Sequence, residues 1–124
     1  MNKKHITHGK LKVFMILFLA VILIVLVVVC AKKIKLSQNE KNIIGTWKNS
    51  SSENVITVQD SDTLILYKDI PEAGLYHGNA SYHFSYTDTI CITQDDISAE
   101  FDIDVDENQL IIYFAGQVYL VLQK

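Results

Sequence analysis

The stretch Ala99-Glu-Phe-Asp-Ile-Asp-Val-Asp106 alternates strictly between apolar and acidic residues. Successive side chains of a β-strand point to opposite faces, so one face carries the apolar side chains and the other carries the acids. The stretch therefore predicts a half-buried strand. We expect four of its side chains in the core: Ala99, Phe101, Ile103 and Val105.

Seven similar runs surround this stretch, each rich in Val, Ile, Thr, Tyr or Phe. They are Ile43–Lys48, Val55–Gln59, Thr63–Lys68, Ala80–Thr87, Thr89–Thr93, Gln109–Phe114 and Gln117–Gln123. With Ile97–Val105 they make about eight strands, separated by short segments in which Gly, Asn, Asp and Ser concentrate. Short connections favour antiparallel neighbours. The fold class is therefore all-β, a small antiparallel meander that closes into a barrel.

The N-terminal part is different, because Leu11–Ala31 is an apolar run of 21 residues whose one charge is Lys12, at its second position. As a helix it would span about 31 Å, which matches the hydrocarbon core of a bilayer. Three interpretations remain open. A retained transmembrane signal anchor is favoured, because the run exceeds the usual length of a signal peptide. The others are a cleaved signal peptide, for which Val29 and Ala31 give a weak cleavage pattern, and a lipoprotein lipidated at Cys30.

Charge divides the chain at the same place. Residues 1–42 contain eight Lys and one Glu, whereas residues 43–124 contain three Lys and thirteen acids. There is no Arg. An acidic domain is a poor partner for nucleic acid, whose phosphates require a basic face. Four Lys lie within the first 12 residues and three follow Ala31 closely, which favours an N-terminus inside the cell.

These observations predict four segments. Residues 1–10 form a cytoplasmic tail, 11–31 a transmembrane signal anchor, 32–42 a polar linker, and 43–124 an extracytoplasmic β domain. No disulfide is expected, since Cys30 ends the apolar run and Cys91 lies in a predicted strand.

The stretch Ile43–Asn49, "IIGTWKN", resembles the G-x-W signature of lipocalin-like domains. It is most similar to small "GTW" domains that follow a signal or membrane segment in many Gram-positive bacterial proteins of unassigned role. The resemblance covers residues 43–124 and includes the ending "FDIDVDENQLIIYFAGQVYLVLQK". It implies a lipocalin-like barrel in which Gly45 permits a tight backbone path and Trp47 closes one end. Lipocalins cover that ring with an Arg; here Lys124 is the cation available for this position.

The sequence offers little for catalysis, cofactors or metals. Asp102–Glu107 looks like a calcium loop, but the sixth position is Glu107 where Gly is required, and the twelfth is Tyr113 where Glu is required. His77 and His83 lack a Cys or a well-spaced acid beside them. Neither a nucleophile elbow nor a glycine-rich phosphate loop is present. We therefore predict a protein that is not an enzyme, with no cofactor and no metal.

Ligand binding inside the barrel is not expected either. Eight short strands enclose a space that large side chains can fill. The candidates for this filling are Trp47, Tyr82, Phe84, Phe101 and Phe114.

Two segments are candidates for recognition. The first is the longest connection, Asp69–Asn79, which is apolar for a loop and carries Ile70, Leu75, Tyr76 and His77. Packing over a barrel end is the alternative explanation of its composition. The second is the last hairpin, Gln109–Lys124, which is apolar on both faces.

Only one face of that hairpin can be core. A two-residue turn at Ala115–Gly116 would separate its apolar residues into two sets, and a slip of one residue mixes these sets. One face would carry Ile111, Tyr113, Val118 and Leu120, and the other Leu110, Ile112, Phe114, Tyr119 and Val121. Four residues are candidates for the outer, partner-binding surface: Ile111, Tyr113, Tyr119 and Val121. That surface is either covered by a neighbouring loop or binds a protein partner or a second copy.

The sequence thus predicts a single-pass membrane protein with an extracytoplasmic, non-enzymatic binding or interaction module. One alternative is an accessory or immunity-like protein that acts on a membrane partner through the C-terminal hairpin. Another is a lipoprotein anchored at Cys30 that carries a small ligand.

Overall fold

The computed structural model of the protein describes the backbone of residues 2–124 and the side chains of residues 9–124. It contains one long helix followed by eight strands. The chain divides into two compact units, residues 1–34 and residues 35–124.

The first unit is helical. Helix α1 begins at Asn2 and ends at Asn42, so that its last eight residues belong to the second unit. The side chains of Leu11–Ala31 are exposed, and the helix is long and apolar enough to cross a membrane. The predicted N-terminal tail is helical from Asn2 onward, and Met1 lies outside the described residues.

Residues 32–42, expected as a linker, continue the helix without a break. The reason is local: "KKIKLSQNEKN" contains no Gly or Pro and several good helix formers. The first residue that favours a helix stop is Gly45.

The second unit is a closed antiparallel barrel in which each strand pairs with its neighbours in the chain. Its strands are β1 (Gly45–Lys48), β2 (Asn54–Val58), β3 (Thr63–Leu66), β4 (Gly78–Tyr86), β5 (Thr89–Gln94), β6 (Ile97–Val105), β7 (Gln109–Phe114) and β8 (Gln117–Gln123). The predicted fold class is confirmed, and β6, β7 and β8 begin and end at the predicted residues. The barrel closes through a single β1–β8 pair, Lys48 with Gln123.

The core confirms the alternation of β6. Phe101, Ile103 and Val105 are at most 4% exposed, and Ala99 is partly buried against them. Trp47 is fully buried and Tyr82 is 7% exposed. Phe84 and Phe114 are partly buried and pack against the same cluster.

The end of α1 forms part of this core. Asn39 Nδ2 donates a hydrogen bond to the Thr87 carbonyl at 2.8 Å. Ile43 is 1% exposed, and its carbonyl accepts a hydrogen bond from Trp47 Nε1 at 2.8 Å. Residues 35–44 therefore close one end of the barrel, which we call the helix end.

Gly45 and Lys124 meet at the helix end. Gly45 has a φ of 136°, and a Cβ placed on it would lie 2.7 Å from Lys124 Cε. Lys124 Nζ lies 5.0 Å from the centroid of the Trp47 ring and donates to the Asn42 carbonyl at 3.1 Å. The expected position of Lys124 over the tryptophan is confirmed.

Candidate functional site

The long connection between β3 and β4 packs partly into the core. Ile70 and Leu75 are 3% and 0% exposed and exchange two backbone hydrogen bonds, of 2.8 and 3.0 Å. Between them lies a short 3-10 helix, Pro71–Ala73. Tyr76, 55% exposed, and His77 face solvent. Of the four candidate recognition residues, two are core and two are available for contact.

Two side chains fix the exposed pair. Asp69 Oδ1 accepts a hydrogen bond from the His77 backbone N–H at 2.9 Å and lies 2.7 Å from His77 Nδ1. The backbone hydrogen bond, with the side-chain contact, lowers the pKa of Asp69. Gln94 accepts from the Tyr76 N–H and donates to the Tyr76 carbonyl. Tyr76 therefore presents its ring from a fixed backbone.

The last hairpin has an apolar outer face. Ile111 pairs with Val121 and Tyr113 pairs with Val118 across β7 and β8. Val118 and Val121 are 59% and 47% exposed, and Ile111 and Tyr113 are partly exposed. We call these four residues the hairpin patch. It contains three of the four candidate partner residues.

The fourth candidate, Tyr119, lies elsewhere. The register shifts beside Ile112, so Tyr119 is an extra residue that pairs with no residue of β7. Its ring packs edge-on against Phe114, with centroids 6.3 Å apart. The alternation of β8 is reset there, which turns Val121 outward and Leu120 towards the core. The sequence predicted regular pairing around the turn, because no sequence pattern indicates a β-bulge.

Tyr119 joins the hairpin to the long connection. Its hydroxyl donates a hydrogen bond of 2.7 Å to Glu72 Oε2. This bond to the carboxylate raises the pKa of Tyr119 to about 12 and lowers the pKa of Glu72. The neighbouring loop thus contacts the edge of the hairpin, but Val118 and Val121 remain exposed.

Acidic side chains border the hairpin patch. On β6, Asp104 pairs with Ile111 and Asp102 pairs with Tyr113. Two rows of neighbours result, each one acid followed by two apolar residues: Asp104, Ile111, Val121 and Asp102, Tyr113, Val118. Such a face offers apolar contact and negative charge together.

Two acids of this region, Asp102 and Asp106, accept hydrogen bonds within the domain. Asp106 Oδ1 accepts hydrogen bonds from the Asn108 and Gln109 backbone N–H groups, at 2.8 and 2.7 Å. These bonds lower the pKa of Asp106 and fix the turn between β6 and β7. Asp102 accepts a hydrogen bond of 2.9 Å from the Thr89 hydroxyl, which orients its carboxylate.

A cleft of about 420 Å³ lies where the end of α1 meets this acidic border. The lining includes Lys35, Asn39, Asp88, Asp102, Asp104 and Tyr113. Asn39 is only 2% exposed, and its Oδ1 is the one buried side-chain N or O atom without a hydrogen-bond partner among residues 9–124. We call this space the Asn39 cleft. It escaped the sequence analysis because Lys35 and Asn39 lie in the segment expected to be a linker.

A second cleft, of about 500 Å³, also borders the end of α1. Its lining includes Glu40, Lys41, Asp60, Asp62, Tyr82 and His83. Burial raises the pKa of Tyr82, with a contribution from Asp62, and the Tyr82 hydroxyl donates to the Gln59 carbonyl at 3.0 Å. The charges of this cleft are mixed, and its inner hydroxyl is already paired.

Within the described part of the chain, no group of three or more His, Cys, Asp or Glu residues is placed to hold a metal ion. The two cysteines are free; Cys30 is exposed and Cys91 is buried. Among the described residues, the candidate binding features of the domain are therefore the hairpin patch, its acidic border and the Asn39 cleft.

Comparisons of the chain with protein-family models, with curated proteins and with solved structures found no match. The candidate site therefore depends on its own geometry alone.

Proposed function

We propose that the protein is a membrane-anchored, non-enzymatic interaction module. Its helix holds it in the cell membrane, its barrel lies on the extracytoplasmic side, and the barrel binds a protein partner through the hairpin patch. The "IIGTWKN" resemblance belongs to this proposal: the barrel would be a lipocalin-like domain of the "GTW" kind, used for interaction rather than for holding a ligand inside.

The anchor is supported by length and charge. Leu11–Ala31 carries one charged residue, Lys12 at its N-terminal edge, and is exposed along its whole length, as a helix in lipid requires. Lysines flank the uncharged residues 13–31 on both sides, with one more on the N-terminal side. This asymmetry favours an extracytoplasmic barrel.

One observation carries the proposed binding. The two rows from β6 across β7 to β8 place four apolar side chains together on the outside of the barrel, beside two carboxylates. Contiguous exposed apolar surface with a polar border is typical of protein–protein interfaces. We therefore expect the partner to meet this face with apolar and basic residues.

A cross-linking experiment tests the surface. A photoreactive residue is placed at Val118 or Val121 of the full-length protein in its native membrane, and at Ser81, exposed on β4, as the control. We expect a discrete cross-linked product from the first two positions and none from the third. Equal patterns at all three positions would contradict the proposal.

Charge insertion separates binding from folding. Val121→Lys should abolish the cross-link formed from position 118, while Trp47 fluorescence, which reports on the buried ring, stays unchanged. Retention of the cross-link in a folded Val121→Lys protein would show that this face is not the contact surface.

A separate experiment tests the anchor. In a Cys30→Ala background, a cysteine introduced at Ser98 should react with a membrane-impermeant thiol reagent on intact cells, since Ser98 is exposed and Cys91 is buried. The protein should remain in the membrane fraction. Release from the membrane would indicate anchoring by lipid at Cys30, and labelling only after lysis would place the barrel inside the cell.

A further inference from the structure

The Asn39 cleft differs from an ordinary solvated acidic face because a buried polar group lies in its wall. The Asn39 amide donates a hydrogen bond from Nδ2 to the Thr87 carbonyl. Its Oδ1 is buried and unpartnered, the single such atom in residues 9–124. A buried acceptor without a donor is destabilising, so such an atom favours a ligand that brings an N–H group.

The charge of the cleft selects the kind of donor. Three carboxylates and one ammonium line it, which leaves a net charge of −2 when all four are ionised. Lys35 and Asn39 belong to the last turns of α1, where the helix dipole adds partial negative charge. A cationic donor is therefore preferred to a neutral one.

The spacing of the acids favours an extended cation over a metal ion. Asp102 and Asp104 point to the same side of β6, two residues or about 7 Å apart along the strand. The described residues hold no group of three acids, His or Cys placed for a metal. A planar guanidinium, with five N–H donors, can contact separated carboxylates and the face of an aromatic ring such as Tyr113.

We propose that the Asn39 cleft binds an arginine or lysine side chain of the protein partner, with its cationic group between Asp102 and Asp104 and an N–H donated to Asn39 Oδ1. This inference rests on the proposed function, because the cleft shares Asp102, Asp104 and Tyr113 with the rows that carry the hairpin patch. It names the partner chemistry: a basic side chain beside apolar residues.

Lys35 has a defined part in this arrangement. It is the one cation of the lining residues named above, and its side chain is exposed. Its ammonium repels an incoming cation and competes with it for the carboxylates. Removal of Lys35 should therefore strengthen binding, whereas a merely structural cleft would not respond in this way.

The test measures binding of N-acetyl-arginine amide to the full-length protein in detergent, by calorimetry or by NMR shifts of the barrel. N-acetyl-citrulline amide is the matched neutral control. We expect millimolar binding of the arginine compound and at least tenfold weaker binding of the citrulline compound. Equal binding of both would overturn the proposal, as would binding of neither.

Variants locate the site. Asp102→Asn and Asp104→Asn should each weaken binding at least threefold, and Lys35→Met should strengthen it at least twofold. Asp62→Asn, in the second cleft, should have no effect. Asn39→Leu should weaken binding, but it also removes the hydrogen bond to the Thr87 carbonyl and could prevent folding. Lys35→Met changes an exposed residue, so it tests the proposal even if the Asn39→Leu protein does not fold. Unchanged affinity in both Asp102→Asn and Lys35→Met would overturn it.

Two further arms identify the source of the cation. A short peptide of arginine and valine should bind at least tenfold more tightly than the amino-acid amide, because it adds contact with the hairpin patch, and Val121→Lys should remove that gain. Tighter binding of spermidine than of the peptide, or exclusive binding of Ca²⁺, would overturn the proposal. The cross-link from Val118 is independent of these readings, so failure here leaves the partner surface itself intact.

Discussion

Lys124 Nζ lies 5.0 Å from the centroid of the Trp47 ring, so the side chain at position 124 covers the tryptophan of the first strand. The same ammonium donates to the carbonyl of Asn42, the last residue of α1. One side chain therefore connects the helix, the first strand and the segment after β8 at the weakest seam of the barrel, where β1 and β8 share a single pair.

Replacement of Lys124 by Met should lower the free energy of unfolding by about 0.5–1 kcal/mol, the usual range for an exposed cation–π contact. Trp47→Ala should cost about 3–5 kcal/mol, because it leaves a large cavity in the core. Urea unfolding of the full-length protein in detergent measures both variants. Trp47 fluorescence is the signal for Lys124→Met, which keeps the tryptophan. Lys124→Arg is the control, since it keeps a cation over the ring. Equal stability of the Met variant and the unsubstituted protein would contradict the contact.

Gly45→Ala should destabilise the barrel by about 1–3 kcal/mol, the usual cost of a strained backbone position. The φ of 136° disfavours any side chain, and the new Cβ would meet Lys124 Cε at 2.7 Å. The two causes are separable by urea unfolding. In the double variant with Lys124→Ala, which removes the side chain beyond Cβ, the steric part disappears and the backbone part remains, so the summed losses of the two single variants should exceed the observed loss. Strict additivity would mean that Lys124 simply moves aside.

Ala115→Asn should stabilise the protein by about 0.5–1 kcal/mol. Ala115 and Gly116 form the two-residue turn between β7 and β8 with φ values of 52° and 78°. An alanine is strained in this left-handed conformation, whereas Asn-Gly is the preferred pair for such turns. The thermal midpoint of the variant should rise. Gly116→Ala is the control with the opposite expectation, since it should lower the thermal midpoint. A higher midpoint in that variant would contradict the turn geometry.

The Tyr119–Glu72 hydrogen bond should make stability depend on pH in a defined window. The pKa of Glu72 is lowered in the folded protein, so its contribution is present above the ordinary value of 4.5 and is lost as pH falls through the folded pKa. The pKa of Tyr119 is raised to about 12, so its contribution is present below the ordinary value of 10.0 and is lost as pH rises through about 12.

The measurement compares the unsubstituted protein with Tyr119→Phe by urea unfolding across pH. The difference in stability should be greatest between pH 4.5 and 10.0 and should shrink on both sides. Glu72→Gln should reduce the dependence at the acidic end, and ultraviolet titration should find one phenol that ionises near pH 12 and is missing from Tyr119→Phe. A difference that is constant with pH would contradict a bond to an ionised carboxylate.

The alternation of apolar and polar residues was sufficient to predict the barrel. β6 shows why: its acids alternate with Phe101, Ile103 and Val105, and only one register buries these three apolar residues. The tryptophan and its lysine were also predictable, because each is alone of its kind at its end of the β domain.

The candidate site was only partly predictable, for two local reasons. The bulge at Tyr119 turns Leu120 towards the core and Val121 onto the outer face, and an apolar strand gives no warning of such a shift. The Asn39 cleft needs the helix to continue beyond Ala31, whereas the change from apolar to polar residues indicated a linker. The change in composition at Ala31 therefore located the end of the apolar run but not the end of the helix, which is Asn42.

The continuation of α1 into the helix end has a practical consequence for where the domain can be cut. The strand pattern alone would start a soluble version at Ile43, which would delete Asn39 and leave the Thr87 carbonyl without its donor. A cut before Lys35 keeps both, together with the whole wall of the cleft. The compact unit is therefore a barrel with the last eight residues of α1 across one end, and the apolar run ends only a few residues before it.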